Sequence, residues 1–299
     1  MIVSLVVRTL NEARYLPELL ASVRKQQTGR FEVEVVLIDS GSTDGTLDIA
    51  RDAGCVLTHI TRQEFSFGRS LNRGCEMARG DILVFVSGHC VPTDEHWLRL
   101  LCEPIADGRV AYSYGRQIGG PTSRYSECRI FEKYYPMQSR VPQQGFFCNN
   151  ANSALLRSAW ERLRFDEELT GLEDMELAKR LVAEGGKVGY VAEACVYHHH
   201  EENWAQVRRR FEREAIALQK IMPHIHVGRG DTARYIGSSI RHDVRHALAH
   251  GGLGGRLGEI VRYRWAQYTG SYRGNHEHRR LSRSDKDHYF YPSDPLERL

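Results

Sequence analysis

Apolar positions along the chain change their period repeatedly, and each change marks the edge of a short element. The runs "IVSLVVRT" (2–9), "VEVVLID" (33–39), "CVLTHIT" (55–61), "ILVFV" (82–86) and "RVAYSYGRQ" (109–117) are apolar, β-branched or aromatic and of strand length. Between them, "ARYLPELLASVRKQ" (13–26) puts Leu16, Leu19, Leu20 and Val23 on one helical face, and residues 43–54, 68–80 and 94–107 are helical in the same way. Gly54 and Gly80 end two of these helices. Strands alternating with helices of this length predict βαβ units: an α/β protein whose mostly parallel sheet is flanked by helices on both faces.

Residues 118–150 are irregular around a helix at 124–135, and 146–169 reads as a strand, a turn and a short helix. A helix follows at 173–186, with Met175, Leu177, Ala178, Leu181 and Val182 available for burial, and "KVGYVAEACVYHHH" (187–200) predicts two short strands. Beyond it the period is helical, over 203–221, 232–250 and 255–268, with Trp204, Val207, Phe211, Leu218 and Ile221 as the stripe of the first. The expected organisation is a main domain over 1–215 and a helical extension with a polar tail over 216–299.

Composition adds limits. An apolar content of 41% and a charged content of 26% suit a globular protein in water. No run approaches the roughly 18 apolar residues of a membrane span. The opening "MIVSLVVRTLNEARYL" lacks a basic leader and reads as a first strand, not a signal peptide. Seven cysteines without a Cys-x-x-Cys pair fit reduced thiols in a cytoplasmic protein. Net charge is +3, but Lys and Arg number 23 against 26 Asp and Glu up to residue 200 and 18 against 12 after it. A basic last third points to something anionic, a membrane surface or a phosphate-bearing substrate. It is too weak for nucleic acid, and no basic stripe carries interleaved aromatics.

Candidate chemistry gathers at strand ends, where α/β proteins bind ligands. Strand one ends in Arg8-Thr9 and strand two in Asp39, followed by "SGSTDG". Asp39 can accept hydrogen bonds from a base or ribose; equally, Asp39 and Asp44 can shape a turn and cap the next helix. Neither a G-x-G-x-x-G loop nor a Walker lysine is present. The run at 82–86 delivers Ser87-Gly88-His89 to the same edge. Glu173 and Asp174 open a helix whose dipole favours their ionised forms, or simply cap it. In "VYHHH", alternation puts His198 and His200 on one face, able to hold a metal or phosphate, or to serve as plain surface. "NNANSA" offers Asn150 and Asn152 for sugar hydroxyls or for a turn, while Asp166 reads as structural.

Taken in order, "VVRTLNEARYLPELLASVRKQ", "EVVLIDSGSTDGTLDIA", "EFSFGRSLNRGCEMARGDILVFVSGHCVPTDEHWL", "YGRQ", "NNANSALLRSAWERLRFDEELTGLEDMELAKRL" and "EACVYHHHEENW" resemble family 2 glycosyltransferases over residues 1–215. The nearest flavour is the bacterial rhamnosyltransferase-like group that builds surface polysaccharides. The resemblance implies the GT-A nucleotide-sugar-binding fold. It also implies inverting transfer of a sugar from a nucleotide-activated donor to a saccharide or lipid-linked saccharide. Thr9, Glu12 and Asp39 would line the nucleoside pocket, with Arg69 and Asn72 near the donor. Asp174, or its neighbour Glu173, would be the base that takes the acceptor proton. Arg116, Gln117, Asn150 and Asn152 would meet the acceptor or the diphosphate, and His198 would complete a metal or diphosphate site.

One departure stands out. Most members carry Asp-x-Asp at the end of strand four to hold a divalent ion, and this chain has Ser87 and His89 there. Mg²⁺ prefers oxygen ligands, whereas imidazole suits Mn²⁺, so His89 with His198 favours Mn²⁺. Alternatively, protonated His89 and His198 with an arginine balance the diphosphate without metal. A degenerate site is the third option, against which the retained Glu173-Asp174 pair argues. A non-catalytic nucleotide-sugar-binding or scaffold protein is the competing class. A nucleotidyltransferase would want a glycine- and lysine-rich loop where this chain has "RTLNEARYL". The segments "VRRRFER" and "RYRWAQY" could rest on the inner face of the membrane as a peripheral contact, or pack as a solvated helix pair.

Overall fold

Eight strands hydrogen-bond into one sheet: β1 (Ile2–Thr9), β2 (Glu32–Asp39), β3 (Val56–His59), β4 (Ile82–Ser87), β5 (Cys90–Pro92), β6 (Tyr112–Gly119), β7 (Asn152–Leu156) and β8 (Val188–His198). Their order is β3-β2-β1-β4-β7-β6-β8-β5. The first four in that order are parallel; β7 runs against both β4 and β6, β8 is parallel to β6, and β5 runs against β8. The computed structural model describes residues 1–276. It divides into one unit of Met1–Gly120, Phe131–Leu169 and Glu173–His199, and a second of Pro121–Ile130, Thr170–Leu172 and the chain from His200 onward. The helix that follows His199 groups with the C-terminal ones.

The unbroken apolar runs follow from burial on both sheet faces. In β1, Val3, Leu5 and Val7 join one cluster with Leu16 and Leu19 of α1 (Leu16–Arg24), with Ala50 of α2 (Thr46–Asp52), and with Trp97 and Leu101 of α4 (Trp97–Ala106). Val6 points the other way, into a cluster with Leu71 and Cys75 of α3 (Phe67–Met77), Trp160 of α6 (Arg157–Leu163) and Leu177 and Leu181 of α7 (Glu173–Ala183). β4 alternates likewise, Ile82, Val84 and Val86 against Leu83 and Phe85.

The two strands expected in 187–200 form one, β8, which pairs with β6 in two stretches separated by a register shift between Gly115 and Gln117. Asn152 holds that irregularity together. Its Nδ2 donates to Arg116 O at 3.0 Å and Ala194 O at 2.8 Å, while its Oδ1 accepts from Trp97 Nε1 at 2.8 Å. A Cβ at Gly115 would lie 2.0 Å from Ala194 O, so only glycine fits opposite the bulge. β5, which contains Pro92, sits at the sheet edge, where a missing N–H is tolerated.

In the second unit, α8 (Trp204–Ile221), α9 (Arg229–Ala249) and α10 (Arg256–Asn275) pack with the first residues of α5 (Tyr125–Tyr134). Asn203 opens α8 with a capping box: its side chain accepts from Gln206 N at 3.0 Å and Gln206 returns the bond at 2.7 Å. Gly270 and Gly274 of α10 lie against the α8 backbone, where a Cβ would meet Arg208 O at 2.3 Å or Glu212 O at 2.1 Å. Buried charges are paired: Asp243 takes two bonds from Arg264 at 2.7 and 2.9 Å. His200 belongs to this unit and sits 2.8 Å from Glu127 Oε1. Glu127, His200 and Glu202 come within 4.8 Å of one another, but Arg210 already donates to both carboxylates at 2.6 and 2.8 Å, which fills the cation's role.

Candidate active site

β1, β2 and β4 end together, because Thr9 pairs in register with Asp39 and Arg8 with Ser87. Asp39 is almost wholly buried. Its Oδ2 accepts from Gly41 N at 2.8 Å and Ser42 N at 2.9 Å, which turns the chain, and its Oδ1 takes only a long bond from Thr9 Oγ1 at 3.3 Å. That oxygen keeps capacity for a ligand donor. Gly41 has φ +105°, a conformation that other residues rarely adopt.

The loops after β1 and β2 are stitched to each other. Asn11 N donates to Ser42 Oγ at 2.8 Å, Thr43 N to Asn11 Oδ1 at 2.9 Å, Glu12 N to Thr46 Oγ1 at 2.9 Å and Ala13 N to Asp44 Oδ2 at 3.0 Å. Asp44 is thus a turn and cap residue. Burial pushes its carboxyl up, but the bonds from Thr46 and Ala13 outweigh that and hold it below the usual range.

Past Ser87 the chain turns through Gly88, where a Cβ would lie 2.8 Å from Glu12 Cγ. The absent side chain lets Glu12 Oε1 reach His89 Nδ1 at 2.7 Å. Glu12 thus orients His89 through one of its two carboxylate oxygens. The His89 ring stacks on His198 with centroids 5.1 Å apart and planes at 18°. His198 is buried, and its Nδ1 sits 2.7 Å from Gln117 Oε1; Gln117 Nε2 donates in turn to Asn149 Oδ1 at 2.9 Å. Each imidazole thus has one nitrogen fixed by a neighbour, the arrangement that orients a metal-binding histidine. Ligand nitrogens of the two lie within 4.8 Å of each other. The donor set is nitrogen-rich, which fits Mn²⁺ better than Mg²⁺.

Glu173 and Asp174 form the first turn of α7 and are both buried. Asp174 Oδ2 accepts from Asn150 N at 2.7 Å and its Oδ1 from Met175 N at 2.7 Å. Burial and then the Glu173 charge raise its carboxyl to about 7, against the pull of those two N–H groups and Arg8. Asn150 is itself anchored, since its Oδ1 accepts from Tyr112 OH at 2.5 Å and from Ser153 Oγ at 2.7 Å. Arg8 lies with Nη1 3.7 Å from Glu173 Oε1, too far for a hydrogen bond, and with its guanidinium 4.7 Å from the Phe67 ring centre. Arg8 Nη1, Asn150 Nδ2 and Arg116 Nε are buried donors without an acceptor among the described residues. Such donors ask for an anionic or hydroxyl-bearing partner.

Three expected contacts serve the scaffold instead. Arg69 Nε donates to Glu167 Oε2 at 2.7 Å and its Nη1 to Glu64 O at 2.7 Å. Asn72 spends its whole amide inside the core: on Phe165 O and Glu167 Oε1, both at 3.0 Å, and on Trp160 Nε1 at 3.0 Å and Phe165 N at 3.1 Å. Asn152 is consumed by the β8 bulge described above. Asp166 caps its own turn, accepting from Glu168 N at 2.7 Å. Arg8 is the residue the sequence marked only as a polar strand end; nothing in the spacing ties it to Glu173, 165 positions later.

Residues 4–164 match the family model described as glycosyl transferase family 2. The O-antigen chain rhamnosyltransferase RfbN of Salmonella typhimurium is 26% identical over 210 residues, 66% of each chain. WbaN of Salmonella anatum, of the same description, is 28% identical over 189 residues, 60% of each. The match thus takes in just under two thirds of those relatives. Among solved structures, the mannosyltransferase PcManGT from Pyrobaculum calidifontis, in complex with GDP-Man and Mn²⁺, superposes with a TM-score of 0.65 at 17% identity, over 93% of this chain and 88% of that one. Glucosyl-3-phosphoglycerate synthase from Mycobacterium tuberculosis gives 0.52 at 18% identity, over 73% and 79%. These likenesses establish the GT-A architecture, and with more than half its length under the family model the chain belongs to glycosyl transferase family 2.

Proposed function

We propose that the protein is an inverting glycosyltransferase that moves a sugar from a nucleotide-activated donor to a saccharide hydroxyl in bacterial surface-polysaccharide synthesis. The observation that carries this is Asp174: a buried carboxyl, raised to about 7, held by Asn150 N beside a sheet edge lined with unsatisfied donors. A general base works best with a pKa near the working pH. Asp39 and Thr9 take the nucleoside. Arg8 and the His89–His198 pair meet the diphosphate. Asp174 accepts the proton of the acceptor hydroxyl as its oxygen attacks the anomeric carbon, and the bond to the diphosphate breaks on the opposite face. A divalent ion on His89 and His198 would neutralise charge on the leaving diphosphate. The named rhamnosyltransferase relatives and the GDP-Man and Mn²⁺ of PcManGT agree with this chemistry.

Thermal-shift measurements with UDP-, dTDP-, GDP- and CMP-sugars, each with Mn²⁺ or Mg²⁺, test the reading. A donor at a hundredfold excess over its Kd stabilises by about 2.7 kcal/mol. If none shifts the melt, the protein is not a nucleotide-sugar enzyme. A peripheral membrane role rests on α10, where Leu257, Val261 and Trp265 are exposed at four-residue spacing beside the exposed Arg256 and Arg262. No helix of the described residues is long and apolar enough to cross a membrane. Failure to sediment with anionic vesicles at low salt removes that role.

A further inference from the structure

A cavity of about 460 Å³ opens in the sheet-bearing unit, lined by Tyr114, Tyr190, Phe147 and Tyr134 together with Lys133 and Arg140. Its aromatic wall is fixed from behind. Tyr114 OH donates to Gln143 Oε1 at 2.7 Å, Gln143 Nε2 to Phe147 O at 2.7 Å, and Tyr190 OH to Pro136 O at 2.6 Å. With these hydroxyls committed inward, ring surface is what the cleft presents. Tyr134 and Phe147 stack with centroids 5.6 Å apart and planes at 15°, and Tyr134 remains 46% exposed. No carboxylate lines the cleft, and neither Lys133 nor Arg140 has an ion pair among the described residues. Exposed arginines elsewhere in this unit do: Arg30 pairs with Asp107 at 2.5 Å and Arg162 with Glu184 at 2.8 Å. Two cations without a carboxylate partner, set over an aromatic wall, fit an amphipathic ligand with a negative charge.

We propose that this cleft is the acceptor subsite, and that it takes a saccharide carrying an anionic group, its ring against Tyr134 and Phe147 and its phosphate or carboxylate on Lys133 and Arg140. The proposal rests on the glycosyltransferase reading and extends it to the second substrate. The chain ties the cleft to the base on two sides. Phe147 precedes by three residues Asn150, whose N–H holds Asp174, and three residues span at most about 11 Å. On the other side, Tyr114 leads along β6 to Arg116 and Gln117. On the proposal, a short saccharide seated on the aromatics extends along this stretch of chain to present a hydroxyl to Asp174.

The test is ligand-observed NMR titration of the full chain at low salt with glucose 1-phosphate, glucuronate, methyl glucoside and inorganic phosphate. The wild type is expected to bind both anionic sugars about tenfold more tightly than methyl glucoside, the size of one charge-assisted hydrogen bond, and more tightly than phosphate alone. In K133A/R140A that preference disappears; in Y134A binding of all three sugars weakens. These side chains are exposed, so folding should be unaffected. Three results overturn the proposal: no sugar binding in wild type, phosphate binding as tight as glucose 1-phosphate, or a preference that survives K133A/R140A. Nucleotide-sugar thermal shifts run on the same variants keep the two readings apart. Cleft variants that lose the sugars but keep the donor shift support the subsite. A wild type with no donor shift instead strikes the glycosyltransferase reading, whatever the cleft binds.

Discussion

Replacing Asp174 with asparagine should, at pH 8, move activity and stability in opposite directions. In the unfolded chain this carboxyl loses its proton near 3.8, whereas in the folded protein burial and the neighbouring Glu173 hold it until about 7. Between these values the folded state binds more protons than the unfolded one, so stability falls as pH rises through the window. The distance from 3.8 to about 7 corresponds to about 4 kcal/mol, fully lost above pH 7. The substituted amide would carry no charge and escape that penalty. It would have one acceptor oxygen in place of two, however, so either Asn150 N or Met175 N would lose its partner, at a cost of about 1–3 kcal/mol. The variant should therefore be less stable than wild type at pH 4 by that amount and more stable at pH 8 by roughly 1–3 kcal/mol. Its transfer rate should drop about 10²- to 10⁴-fold, the usual share of a general base. In wild type the rate should climb through about pH 7 as the base loses its proton. Urea unfolding at both pH values and initial-rate kinetics provide the measurements. A variant destabilised at pH 8, or one that keeps a tenth of the rate, refutes the assignment of Asp174.

Four further substitutions probe other parts of the site and the scaffold. His89→Ala should cost at least about 10²-fold in rate and abolish stimulation by Mn²⁺, while Ser87→Ala costs less than about tenfold and Mg²⁺ supports little turnover in any variant; kinetics across a metal series decide this. Asn72→Ala strips acceptors from Trp160 Nε1 and Phe165 N, so it should lower stability by about 3 kcal/mol and leave the donor-induced thermal shift unchanged. Gly274→Ala pushes a methyl group into Glu212 O and should cost about 1–3 kcal/mol, read from a circular-dichroism melt.

The fold was legible wherever one physical demand dominates. Strands buried on both faces need apolar residues at every position, and β1 and β4 show them; the helices between need one apolar stripe. β8 was harder, since its interior is interrupted by Glu193 and reads as two strands until Asn152 is seen filling the gap. The site was legible as strand ends, Asp39 and the Glu173-Asp174 pair. Local chemistry could not say whether an amide or guanidinium faces a ligand or the core. Asn72 and Arg69 look like donor contacts in sequence, yet their partners, Phe165 and Glu167, arrive from about 95 residues away. The same distance problem hid Arg8, which acquires its meaning only when α7 brings Glu173 to the end of β1.

The contact between Glu12 and His89 has a bearing on how this chain can change. An aspartate at position 89, as in the usual Asp-x-Asp, would set a second carboxylate against Glu12 where an imidazole now sits 2.7 Å away, two like charges that only a bound cation would reconcile. Restoring the common motif at position 89 alone therefore sets two carboxylates together, and Gly88 adds a constraint of its own, since any side chain there would meet Glu12 Cγ. Positions 12, 88 and 89 thus constitute a single heritable choice: exchanging His89 for aspartate alone would make the contact with Glu12 depend on a bound ion, so the two positions should vary together.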